Sequence, residues 1–293
     1  MHQTLCTLRI ILLPVVLVFS LAGSVATASI QTPASPPLEK VSLQLSWKHQ
    51  FEFAGFYAAA QQGYFAEQGL DVDIREYREG VDLVDEVTSG RADFGIYSDD
   101  LIFERMDGRP VVLLANYFKR YPLVFLAQPG LKTLDDLKGG KLMISNKGRK
   151  SMVVRAALHR AGLTPGENLE LLDHTFDVGP LIRAEVDAMS AFRSNEPFFL
   201  DRQNISYEVI ELSDTLPGLG DINLYTSETQ AALHPERTRA FVEASNRGWR
   251  YALDHPEETV DLILQRYKPQ ASREALLFEA GQVRELMLPD RFP

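Results

Sequence analysis

From Val41 onward, short apolar runs alternate with amphipathic stretches, and this alternation restricts the fold more than any other feature of the chain. Strand and helix signals that take turns in this way describe βαβ units and a mainly parallel sheet. Val41 to Leu45 reads as a strand, Ala54 to Gln62 as a helix and Leu70 to Tyr77 as a strand of period two. A helix from Val81 to Ser89 ends at Gly90, and Ala92 to Ile96 is a buried strand. Pro110 to Tyr117 and Leu123 to Gln128 are further strands.

A second set repeats this grammar. Thr133 caps a short helix through Leu137, Lys141 to Ser145 is a strand, Ser151 to Ala161 a helix and Leu169 to Asp173 a strand. Pro180 to Ala184 is helical, Asp187 to Phe192 a strand, Glu196 to Arg202 a helix and Tyr207 to Leu212 a strand. The segment Ser89 to Ile96 finds an echo in Arg183 to Ser190: a helix end, a turn, then Asp93 or Asp187 opening a strand of small residues. After Ile222 to Thr226 the chain turns helical, over Pro235 to Asp254, Pro256 to Tyr267 and Ser272 to Leu286. The expected class is α/β, with the organisation of a type II periplasmic-binding-protein fold: two lobes, hinge crossovers between them and a helical C-terminal tail. The boundaries drawn are 41–120 with 224–293 for one lobe and 121–223 for the other.

The first residues carry an address. Arg9 precedes the apolar run Ile10 to Gly23, and Ala26-Thr27-Ala28 has the small residues a signal peptidase requires. Residues 1–28 read as a signal peptide cleaved after Ala28, which sends the chain to the periplasm. Since the run is shorter than the ~20 residues that span a bilayer, a retained anchor is the less favoured alternative. Leu21-Ala22-Gly23-Ser24 has serine where a lipoprotein signal needs cysteine, so no lipid is attached there. Residues 29–40, rich in Pro, Ser and Thr, read as a linker. Cys6 is the only cysteine and lies within the signal, leaving the mature chain without disulfides or thiolate metal sites. Loss of Arg9 takes the formal net charge from −10 to −11, a surface that repels nucleic acid and anionic lipid.

Between Leu43 and Ile74 lie Trp47, Gly55, Tyr57, Gly63-Tyr64-Phe65 and Glu67-Gln68-Gly69-Leu70-Asp71. Together with Ser89 to Gly95 and Asn195-Glu196-Pro197, these residues resemble the thiamine-pyrimidine synthase-like solute-binding family in its bacterial branch. The resemblance covers roughly residues 41 to 290. It implies capture of a small heterocycle, a thiamine pyrimidine precursor foremost, for an ABC permease or a membrane sensor partner. A binder of sulfonates or other small anions is the first alternative, and a pyrimidine-forming enzyme the second. The enzyme branch uses a histidine six residues after the tryptophan, a lysine after an Asp-x-Gly-x strand, and a cysteine cluster holding iron. This chain has Phe53 and Tyr97 at the first two positions and no cysteine between Gly220 and Thr226. No catalytic chemistry is therefore expected, and the chain is expected to be a monomer without cofactor.

Ligands of open α/β sheets sit outside the carboxyl ends of the strands, so the loops there hold the candidates. Trp47, Phe51 and Phe53 follow the first strand; their rings suit stacking on a flat heterocycle, or else fill the core. Tyr97, Ser98 and Asp99 end another strand, where a ring, a hydroxyl and a carboxylate meet, although Ser98 or Asp99 could equally cap the next helix. Tyr117 ends a strand at the lobe boundary, with a surface turn as the plainer reading. Asn195 and Glu196 could read the acceptor and donor edge of an aminopyrimidine, Asn195 also being placed to cap the helix that Pro197 opens. The basic run Asn146 to Lys150 and the lone His174 are read as ordinary solvated charge and a structural imidazole. No metal-ligand spacing, nucleophile elbow or phosphate-cradling glycine loop is present in the sequence.

Overall fold

A computed structural model describes residues 37–288. The signal peptide and most of the linker lie outside the described residues. Ten strands follow one another: β1 (Glu39–Gln44), β2 (Leu70–Arg75), β3 (Phe94–Tyr97), β4 (Val111–Phe118), β5 (Leu123–Ala127), β6 (Lys141–Ile144), β7 (Glu170–Asp173), β8 (Ala188–Phe192), β9 (Glu208–Glu211) and β10 (Asp221–Ser227). They form two five-stranded sheets, ordered β2-β1-β3-β10-β4 and β7-β6-β8-β5-β9.

The two sheets share one plan. In the first, β1 pairs in parallel with β2 and β3, and β10 enters antiparallel between β3 and β4. In the second, β6 pairs in parallel with β7 and β8, and β5 runs antiparallel to β8 and β9. The sequence echo has a physical counterpart here. The Asp93 carboxylate, just ahead of β3, accepts the backbone N–H of Ser42 on β1 at 2.8 Å, and that of Asp187, ahead of β8, accepts the N–H of Lys141 on β6 at 2.7 Å. Each aspartate joins the start of its own strand to the parallel neighbour, satisfying a donor the ladder leaves over.

Two crossings connect the sheets, from Phe118 to Leu123 and from Glu211 to Asp221. The second is tightly built. A Cβ on Gly220 would lie 1.7 Å from the Phe118 carbonyl oxygen, so only glycine lets these two passages touch. Ile222 holds φ at +50°, a conformation that a β-branched side chain adopts only under constraint.

The first core lies against the first sheet and is rich in aromatic rings. Phe51, Phe53, Phe56, Tyr57, Phe94 and Phe118 are fully buried there. The long helix Pro235–Asp254 packs on the helix Ala54–Gln61 with backbones in contact, since a Cβ on Gly248 would sit 2.0 Å from the Gly55 oxygen. The helices Pro256–Arg266 and Arg273–Met287 complete this layer. The second sheet is covered on both faces: Phe125 and Ala127 of β5 enter one cluster, Val124 and Leu126 the other, as the period of two requires.

Local boundaries differ from expectation in a few places. Asn146–Lys150, read as a basic loop, is itself a short helix, because the Ser145 hydroxyl accepts the N–H of Gly148 at 3.0 Å. Tyr64–Glu67 and Glu228–Leu233 are short helices that no apolar period announces. Among the described residues no helix is long and apolar enough to cross a membrane.

Candidate functional site

The carboxyl ends of the parallel strands face one another across a cavity of about 520 Å³. The volume lies within the roughly 300–1,000 Å³ of small-molecule sites. From the first lobe come Trp47 after β1, Glu52 from the 3-10 turn Phe51–Phe53, and Ser98 with Asp100 after β3. From the second come Lys147 after β6, His174 and Phe176 after β7, and Asn195 with Glu196 after β8. Tyr121 and Asp221 stand at the two crossings, and the loop from Tyr267 to Ala271 closes one end.

Of the residues singled out from sequence, Trp47, Ser98, Asn195 and Glu196 meet at this cavity. The Trp47 ring stacks on Tyr77, with centroids 5.7 Å apart and planes 17° apart, and lies 5.8 Å from Phe176 of the opposite lobe. Glu196 accepts the N–H of Phe192 at 2.7 Å, and Asn195 precedes the helix Glu196–Asp201 without a side-chain cap bond.

The other five candidates are placed elsewhere, each for a traceable reason. Phe51 and Phe53 are wholly buried in the first core, because the turn that carries them points both rings inward and Glu52 toward the cavity. Tyr97 faces Tyr225 edge-on at 6.2 Å and donates its hydroxyl to Glu104 at 3.2 Å. Asp99 braces the second crossing, accepting from the Asn223 amide at 2.6 Å and from the backbone N–H of Gly220. Tyr117 packs edge-on against Phe56 at 5.7 Å, with its hydroxyl donated to Asn246 at 3.1 Å.

Sequence reasoning missed several contributors. Asp100, the neighbour of a named candidate, lines the cavity, and its carboxylate accepts the N–H of Met152 at 3.1 Å. Met152 opens the helix Met152–Arg160 of the second lobe, whose own N-cap, Ser151, instead pairs its hydroxyl with Tyr121 at 2.6 Å. A carboxylate of one lobe thus sits on the positive end of a helix of the other. Phe176, 62% exposed and at φ +59°, reaches over the mouth to Trp47. Its backbone N–H donates to Nδ1 of His174 at 2.8 Å, which leaves the imidazole proton on Nε2, donated to the Ser190 carbonyl at 2.7 Å. Burial also lowers the His174 pKa, in the same sense as this hydrogen-bond arrangement. No short-range pattern reports these residues, since the direction each side chain faces is set by contacts with residues distant in sequence.

The electrostatics are dominated by carboxyls held from water. Burial pushes Glu196 up to about 7, opposed by the N–H of Phe192. Asp221 is pushed to about 7, again by burial, with Lys147 pulling against it. Lys48 pairs with Glu76 at 3.7 Å near the rim. Among the described residues no group of three or more His, Cys, Asp or Glu is arranged to hold a metal ion.

Two α/β lobes, crossed twice around a cavity lined with rings and hydrogen-bonding groups, define the fold of the periplasmic binding proteins. The chain belongs to the NMT1/THI5 like family, whose model matches residues 50–259. It is 29% identical over 253 residues to the riboflavin-binding protein RibY of Chloroflexus aurantiacus, covering 84% of this chain and 71% of that protein. It is 26% identical over 235 residues to the formylaminopyrimidine-binding protein of Halalkalibacterium halodurans, covering 78% and 70%. In fold it is similar to the periplasmic aliphatic sulphonate binding protein SsuA of Escherichia coli, with a TM-score of 0.64 at 16% identity over 87% of this chain and 85% of that one.

Proposed function

We propose that this protein captures a flat nitrogen heterocycle in the periplasm, a thiamine pyrimidine precursor foremost, and hands it as a monomer to an ABC permease or a membrane sensor. The observation that carries the reading is the pairing of the Trp47 ring with the carboxyls of Glu196 and Asp221 on one cavity. A ring face supports a flat ligand by stacking, while carboxyls accept from ring or exocyclic N–H groups. The names of the riboflavin and formylaminopyrimidine relatives support the same class.

Binding acts by differential affinity: a ligand that touches both lobes favours the closed arrangement, and the closed arrangement is what a membrane partner would recognise. A flavin is the second reading, favoured by the RibY relationship and by a volume generous for a single pyrimidine ring. An anion suits the site less well, because Asp100 already occupies the helix end at Met152 that would attract it. Pyrimidine synthesis lacks its donors, since Phe53 is buried carbon and Tyr97 is turned to Glu104. Calorimetry with an aminopyrimidine, riboflavin and an alkanesulfonate decides among these. The reading predicts heat and a raised melting temperature with the heterocycles; binding of the sulfonate alone overturns it.

A further inference from the structure

Glu52 occupies an unusual position for a carboxyl. Its backbone N–H and that of Phe51 donate to the two carboxylate oxygens of Glu279, at 3.0 and 2.9 Å. Glu279, from the helix Arg273–Met287, is 4% exposed and so fixes the turn from behind. With Phe51 and Phe53 turned into the core, the Glu52 side chain points the other way, into the cavity. Glu52 too is only 4% exposed, and it lines the cavity. A carboxyl so far withdrawn from water is costly to charge, and a binding site is where such a cost is offset by an incoming donor.

The groups around it define what that molecule carries. Asp221 from β10, Glu196 after β8 and Glu279 behind the turn are further carboxyls beside it, and Lys147 is the cation that opposes them, with Lys48 and Lys268 elsewhere on the lining. Asp100 stands on the same cavity. We propose that Glu52 is a ligand-binding residue that selects a heterocycle held as its protonated cation, with an N–H group donated to the Glu52 carboxylate. This deepens the heterocycle reading of the cavity and rests on it. A charge-assisted pair of this kind is roughly twice as strong as a neutral hydrogen bond, and a carboxylate accepts two such donors side by side.

Burial and the neighbouring Glu279 raise the Glu52 pKa well above the ordinary carboxylate range, with Asp221 and Glu196 adding to the effect and Lys147 opposing it. A neutral base takes a proton held on Glu52 onto a ring nitrogen as it binds, leaving carboxylate and cation paired. A ligand that is already a permanent cation favours the charged carboxylate and displaces any such proton into solvent.

The test compares 4-amino-2-methylpyrimidine, its N-methylated permanent cation and riboflavin by calorimetry in two buffers of different ionisation enthalpy. Wild-type protein is expected to bind both pyrimidines between about pH 5 and 8 and to release more proton with the permanent cation than with the neutral base. Glu52→Gln, similar in shape but unable to hold charge, should bind both pyrimidines about tenfold more weakly or worse, release less proton, and change little toward riboflavin. Equal binding by Glu52→Gln and wild type, equal losses for pyrimidines and riboflavin, or no proton release with the cation each overturns the assignment of Glu52. Tight riboflavin binding without either pyrimidine also overturns it, while leaving the heterocycle reading in place. If wild type binds none of the three, the heterocycle reading falls as well.

Discussion

Trp47 is held before any ligand arrives, stacked on Tyr77 and touching Phe176, so its ring is a prepared surface with little rotamer freedom left to lose. Trp47→Ala is expected to weaken heterocycle binding by about 1 to 3 kcal/mol, the range for a base stacked on an aromatic ring, as calorimetry would measure. The buried carboxyls make a second prediction. Glu196 and Asp221 have pKa values near 7, and Glu279 is pushed up to about 8, all above their values in an unfolded chain. The folded state therefore binds more protons than the unfolded one between the two sets of values, and stability falls as pH rises through that window. The melting temperature of the ligand-free protein should be highest near pH 4 to 5 as far as these groups are concerned, and should decline toward about pH 8. Glu196→Gln should flatten that decline, and the absence of any slope in the wild type would show that the carboxyls are solvated.

At the scale of elements, the sequence made most strands and helices legible, because each is short, bounded by Gly, Pro or a capping residue, and periodic. The Asp93 and Asp187 echo was visible as a faint pattern and proves to be the same strand-joining hydrogen bond in both lobes. What local pattern could not report was which helices touch. Gly55 and Gly248 are far apart in sequence, yet they let two helices meet backbone to backbone. Gly248→Ala forces them apart, or forces Ala59 and the Gly55 carbonyl to move, and should cost about 1 to 3 kcal/mol by chemical denaturation, the range for overpacked cores. The ring positions illustrate the same limit. Phe51 and Phe53 carried the right chemistry for stacking, but a single 3-10 turn, tied down by Glu279 from the far end of the chain, sends them into the core and presents Glu52 instead.

For the whole molecule, the bond from the Met152 N–H to Asp100 is one of the few that span the cleft, beside the Trp47 and Phe176 contact. Removing it should cost about 1 kcal/mol of closure, as for a lost helix cap. Asp100→Ala is therefore expected to shift the ligand-free protein toward a larger radius of gyration in solution scattering, and saturating ligand should restore the compact form. An unchanged radius in that variant would mean that closure is held by other contacts.

Sequence alone determined that this chain builds two α/β lobes and a helical tail, since hydrophobic period, caps and turn residues act over a few positions and need no partner. It also placed Trp47, Ser98, Asn195 and Glu196 at strand ends, where open sheets bind their ligands. Only the tertiary structure decided that Glu52, Asp100, Asp221 and Phe176 join them, because their positions depend on strand pairing and crossings that bring residues more than a hundred positions apart into one cavity. A side chain's type is written locally, whereas the direction it faces is set by what packs behind it.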